Sequence, residues 1–190
     1  MSVIRFETAQ EVFETFPDLR EDISTKATEE HPLAFLQRLQ GGATPEDAIT
    51  FLAHLLPRRY AVYWACGCVR ALEQGRDLDS IDAMQAALAW LREPEESNRL
   101  RALAIGMQAE RSDSTTWLAL SAAWSGGNIS PAAQGGVVQP PPHLTAVAAR
   151  AAVLIALARV GSAARAENIQ RVLEHGKKLA AGGDRPGSGG

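Results

Sequence analysis

Apolar residues recur along this chain at spacings of three and four, the repeat of an α-helix that presents one face to a core. Strict apolar–polar alternation is sustained nowhere; Val137-Val138 is the only β-like pair in a long loop and is too short for a strand. Thr8-Ala9-Gln10-Glu11 has capping-box spacing, so a short helix carrying Val12, Phe13 and Phe16 is expected to end near Pro17. Residues 18–30 are charged and weakly periodic, a loop or a frayed helix. Pro32 suits a first helical position. The helix it opens has Leu33, Leu36 and Leu39 inward and Phe35 on the flank, with Gly41-Gly42 as its stop.

Thr44-Pro45-Glu46-Asp47 combines a capping hydroxyl, a proline and two acids at the positive end of a helix dipole. Ala48, Ile49, Leu52, Leu55 and Leu56 follow at helical spacing, and Pro57 ends that helix and opens the next. From Tyr60 to Val69 there is no charge. A helix apolar on every side is buried on every side, which predicts a central helix over 58–74. Further helices are expected from Asp79 and Asp82 through Ile81, Met84, Leu88 and Leu91, and from Pro94 to about Glu110 with Leu100, Leu103, Ala104 and Met107 inward. Another follows the capping cluster Ser112-Asp113-Ser114 with Trp117, Leu120 and Trp124, and Gly126-Gly127 stops it.

Residues 125–142 form an uncharged loop closing on the stiff triplet Pro140-Pro141-Pro142. Two helices follow, near 143–159 and 162–180; the first is almost wholly apolar and should be the second buried helix. The pattern predicts an all-α fold of eight to nine helices, an irregular orthogonal helical bundle or a short α–α superhelix. One domain is expected over 1–181, with its core over about 32–180, and a disordered tail over 182–190.

The 190 residues are 46% apolar and 22% charged, with a formal net charge of −3. That balance suits a folded domain and lacks the basic excess of a duplex-binding surface. No apolar run reaches the roughly 18–20 residues of a membrane span, and the first residues lack the apolar stretch of a signal peptide. A cytoplasmic location is the expectation, with no nucleic acid and no membrane span. Cys66 and Cys68 point about 200° apart on a helix and read as buried thiols in a reducing compartment.

His31, His54, His143 and His175 have no His or Cys partner at ligand spacing, so no metal and no cofactor is expected. No phosphate-binding glycine motif is present either. Asp47, Thr50 and His54 share a helical face, with Arg58 a further turn along. Arg58 and Arg59 then lie in the first turn of the next helix, where cations oppose the dipole at roughly a few tenths to one kcal/mol each. A carboxylate of this chain (Asp47, Glu46 or an acid of 18–30) or an anionic group of a partner would offset that. Arg150, seven residues from His143 in the apolar helix, needs a partner or lines a groove. Trp117 and Trp124 share a face, either as core or, for Trp124 at the helix end, as an anchor.

Three stretches together resemble a bacterial domain-of-unknown-function family: Thr44-Pro45-Glu46-Asp47-Ala48 with Phe51-Leu52-Ala53-His54 and Pro57-Arg58-Arg59; Tyr63-Trp64-Ala65-Cys66; and Ala123-Trp124-Ser125-Gly126-Gly127 with Pro140-Pro141-Pro142-His143-Leu144. The resemblance covers about 33–160. It implies an accessory role near type VI secretion and carries no catalytic residues. The expected function is therefore a non-catalytic interaction module, an adaptor or chaperone whose partner is another protein. Its expected surface is Arg58, Arg59, Trp124, Pro140, Pro141, Pro142 and His143, with Asp47, His54 and Arg150 in ion pairs or a pocket. The alternative is a small-molecule or anion-binding domain, conceivably an enzyme, with His54, Arg58 and His143 in one pocket.

Overall fold

The computed structural model describes residues 2–129, 136, 138–183 and 186. They form ten α-helices: α1 (Ala9–Thr15), α2 (Leu19–Asp22), α3 (Pro32–Gln40), α4 (Glu46–Leu55), α5 (Arg58–Leu72), α6 (Asp82–Arg92), α7 (Glu96–Gln108), α8 (Ser114–Ala123), α9 (Leu144–Ala158) and α10 (Arg165–Ala180). Short 3-10 turns at Leu78–Ser80 and Ser162–Ala164 lead into α6 and α10. No strand occurs among the described residues. The centre of the uncharged loop, at 130–135 and 137, and most of the tail expected over 182–190 lie outside them.

The helix starts follow the local chemistry. Thr8 accepts from the Glu11 amide at 3.2 Å, and the Glu11 carboxylate reaches back to the Glu7 amide at 2.8 Å, a box displaced by one residue from the ideal. His31 Nδ1 accepts from the Leu33 amide ahead of α3. Asp113 accepts from the Thr115 amide at 2.8 Å to start α8. At α4 the expected start moves by one residue: Pro45 precedes the first helical residue, Glu46, and no side chain caps that end.

One contiguous core runs from Ala9 to Ala180. Its centre differs from the expected pair of buried helices. α5 and α9 are both central, but α8 is enclosed more completely, with every residue except Trp117 buried. α8 lies against α6, α7 and α9, α5 crosses α8 and α9, and α4 and α10 cover that assembly. The run from Ser114 to Ala123 carries no charge and is rich in small residues, which lets neighbouring backbones approach. Trp64 in α5 is fully buried, and its indole N–H donates to the Val172 carbonyl of α10 at 3.0 Å. The chain's first residues are tied to the end of α10, where the Val3 amide and the Ser2 hydroxyl both donate to the Ala180 carbonyl at 3.0 Å.

Two expected faces are rotated. In α3, Phe35 is fully buried with Leu36 and Leu39, and Leu33 takes the flank; the Phe35 ring meets Phe13 and Phe51 edge-on. In α7 the inward residues are Arg99, Ala102, Leu103 and Gly106, while Leu100 and Met107 are nearly half exposed and Ala104 is exposed. Gly106 accounts for that rotation: a Cβ there would lie 2.9 Å from the Leu120 side chain, so α7 presses its glycine face onto α8. Arg99 goes inward because backbone carbonyls await it.

Candidate functional site

Pro57 ends α4 and places Arg58 and Arg59 in the first turn of α5. Neither arginine meets the expected carboxylate. Arg58 Nη1 donates to the Ser125 carbonyl just beyond α8 at 2.7 Å, and Arg59 Nη2 donates to the Leu91 carbonyl in the last turn of α6 at 2.5 Å. Both cations thus stand at the positive end of their own helix and satisfy the negative ends of two others. Glu46, offered as their partner by the sequence, pairs with Arg165 at 2.8 Å.

Arg99, which no sequence pattern marks, completes this arrangement. It is 3% exposed and donates to the Ala123 carbonyl at 2.8 Å and the Asn128 carbonyl at 3.0 Å, with its charge met by Glu96 at 2.5 Å. The turn after α8 is therefore held by Arg58, by Arg99 and by Thr145, whose hydroxyl donates to the Trp124 carbonyl at 3.0 Å. Gly127 has φ +66°, and a Cβ there would meet the Arg99 guanidinium at 2.5 Å. Backbone conformation and space therefore both demand glycine at position 127. Trp124 itself is half-buried and stands edge-on to Trp117, with ring centroids 6.4 Å apart.

Beside Arg58 a cleft of about 450 Å³ opens between the end of α1, the α4–α5 junction and the first turn of α9. Arg5 and Arg58 are its charged lining groups, Thr15, His54 and Thr145 add polarity, and Phe16, Leu56 and Pro142 are among its apolar walls. Among the described residues no carboxylate lines it. The helices α5 and α9 both begin here, and neither carries an acid in its first turn or a side-chain cap.

His54 is 4% exposed on the wall of this cleft. Its Nδ1 lies 2.8 Å from the Thr50 carbonyl. A carbonyl only accepts, so Nδ1 carries the ring proton and Nε2 presents a lone pair. Among the described residues Nε2 has no hydrogen-bond partner. Burial pushes the His54 pKa down to about 4, against the pull of its bond to Thr50. The ring is therefore neutral at pH 7, and it stands edge-on to Phe16 at 5.3 Å.

The other expected residues fall around this cleft. His143 Nδ1 lies 3.3 Å from Asp18, and Arg150 pairs with Asp22 at 2.5 Å, so one face of α9 is laced to α2 by two rungs. Pro142 lines the cleft, Pro140 is buried and Pro141 is exposed. Asp47 makes none of the ion pairs among the described residues, and its carboxyl is pushed up by burial, with Glu46 and Asp22 adding. Of the three side chains expected in one pocket, His54 and Arg58 meet in the cleft, while His143 stands outside its lining. Arg5, Thr15, Phe16 and Thr145 were not singled out from the sequence. They come from separate segments, and no local spacing marks them.

A second charged cluster, also unforeseen, lies at the far end of α5. Glu73 is 8% exposed and accepts from Ser114 at 2.7 Å, Arg76 at 2.9 Å and Arg159 at 3.2 Å, while Arg76 also pairs with Asp113. Two acids balance two arginines, so the cluster reads as a lock between α5, α8 and α9. Burial pushes the Cys66 thiol up to about 12 and the Cys68 thiol well above its ordinary value, which leaves both unreactive. No group of three His, Cys, Asp or Glu residues among the described ones could hold a metal ion. No described helix is long and apolar enough to cross a membrane.

Residues 35–180 match the family of unknown function DUF6931. The chain belongs to this family. The family region takes in α4 to α10 and hence most of the cleft, and leaves out the segment that supplies Arg5, Thr15 and Phe16. No curated protein and no solved structure matches the chain.

Proposed function

We propose that this protein binds a small anionic molecule in the cleft between α1, α5 and α9, without catalysing its conversion. The observation that carries the reading is the pairing of an almost fully buried, neutral imidazole with a cleft whose charged lining, among the described residues, is arginine alone. The open first turns of two fifteen-residue helices add amide N–H groups and a positive dipole end. Apolar walls lower the local dielectric and strengthen those charges.

The test is calorimetric titration and thermal melting at low ionic strength with phosphate, acetate and succinate. At least one should bind and raise the melting temperature, with affinity falling as salt rises. Arg5→Gln and Arg58→Gln should each weaken it. Absence of heat and of stabilisation with every probe would refute the reading.

A second reading is the interaction module suggested by the resemblance: a cytoplasmic adaptor or chaperone of a bacterial type VI secretion system. It is favoured by the exposed apolar stripe Leu100, Ala104 and Met107 on α7, since contiguous exposed apolar residues mark contact surfaces. Leu100→Asp with Met107→Asp should then abolish capture of a secretion component from native cells and leave the melting temperature unchanged. Undiminished capture would sink it.

A further inference from the structure

Apart from the Thr15 hydroxyl, which can donate or accept, the polar side chains of the cleft are of two kinds. Arg5 and Arg58 can only donate. His54 Nε2 can only accept, because the Thr50 carbonyl at 2.8 Å fixes the ring proton on Nδ1. Thr145, which also lines the cleft, has its hydroxyl hydrogen committed to the Trp124 carbonyl, so toward a ligand its oxygen can only accept. A ligand built only of acceptors, such as acetate or sulfate, would satisfy the arginines and leave His54 Nε2 desolvated and unmatched. That loss costs affinity.

We infer that the natural ligand carries a neutral hydrogen-bond donor beside its anionic group, and is a small hydroxy acid rather than a simple carboxylate or an inorganic anion. This rests on the anion-binding reading. An amino acid fits less well, since its ammonium would face Arg5 and Arg58 with no carboxylate in the lining to receive it. Burial keeps the ring from supplying the missing proton itself, because it holds His54 neutral at pH 7. The volume, about 450 Å³, accommodates an acid of a few carbons together with ordered water.

Matched acids that differ by one hydroxyl test this: glycolate with acetate, lactate with propionate, and malate with succinate. In titrations on the whole chain, the hydroxy member of at least one pair should bind about tenfold more tightly, the usual worth of one buried hydrogen bond. Long-range nitrogen–proton correlation spectra give a direct readout. The His54 Nε2 resonance, that of an unprotonated ring nitrogen, should move toward the protonated range with the hydroxy member and stay in place with its partner. His54→Phe should level the pair, and Thr145→Val should narrow it. If His54→Phe does not fold, the wild-type resonance decides alone. Equal binding and equal resonances within every pair, or silence from all six acids while phosphate binds, would overturn the inference and leave the anion reading standing; silence from the acids and phosphate alike would overturn both.

Discussion

Arg58 opens one helix and holds the end of another: its guanidinium, in the first turn of α5, donates to the Ser125 carbonyl beyond α8 at 2.7 Å. Arg59 does the same for the Leu91 carbonyl of α6. The unfavourable dipole position noticed in the sequence is therefore compensated by two helix C-termini, not by a carboxylate. Of the two, Arg58 alone also lines the cleft.

Removing both should reveal the structural part. Arg58→Gln with Arg59→Gln is expected to lower stability by about 2–4 kcal/mol in urea denaturation, from two lost charged hydrogen bonds to carbonyls. An unchanged or raised melting temperature would show that relief of the dipole conflict outweighs both contacts.

Gly127 and Gly126 are adjacent and should respond very differently. Gly127→Ala forces a left-handed backbone onto a residue with a Cβ and drives that Cβ into Arg99. We expect a loss of at least about 2 kcal/mol. Nothing lies within 4 Å of a Cβ on Gly126, so Gly126→Ala should stay within about 0.5 kcal/mol. Equal effects in denaturant titrations would contradict the assigned turn.

Trp64→Ala should cost roughly 3–5 kcal/mol, the range for emptying a large aromatic core site. Trp64→Phe separates packing from hydrogen bonding, because it leaves the Val172 carbonyl without its donor. About 1–3 kcal/mol is expected there. A surface-like value below about 0.5 kcal/mol for the alanine variant is the result that the buried position forbids.

His54 makes stability depend on pH. Its folded pKa, about 4, lies below the ordinary histidine value. Between the two the unfolded chain binds more protons, so stability rises with pH. The contribution is complete above pH of about 6.5 and is lost as pH falls toward 4, on the order of 3 kcal/mol in all. Denaturant midpoints followed from pH 7 to 4 should fall less steeply for His54→Phe. Parallel curves would show that the ring titrates normally.

Local chemistry made the helices legible. Thr8, Pro32, Pro57 and Asp113 each mark a start, and the uncharged run from Tyr60 to Val69 marks a buried helix. The face of α7 was not legible, because apolar periodicity favoured Leu100 and Met107, whereas the contact with α8 is made by Gly106 and by an arginine whose partners are carbonyls. The same limit hid α8, where small residues rather than large apolar ones signal burial. Part of the candidate site was visible in His54 and Arg58, which lie on consecutive helices across Pro57. Phe16 and Thr145 join them only through tertiary packing, and Glu73 finds Ser114 and Arg159 across 41 and 86 residues.

The placement of α10 bears on how the chain is made. This helix supplies the carbonyl for Trp64, covers α4 and α5, and anchors the first residues through Ala180. During vectorial synthesis the ribosome releases α4 and α5 long before it releases their cover. Until Ala180 has emerged, the nascent chain carries an open apolar face and an unsealed tryptophan, the surface that general chaperones bind. The packing of α4 and α5 is therefore completed only once α10 docks on them.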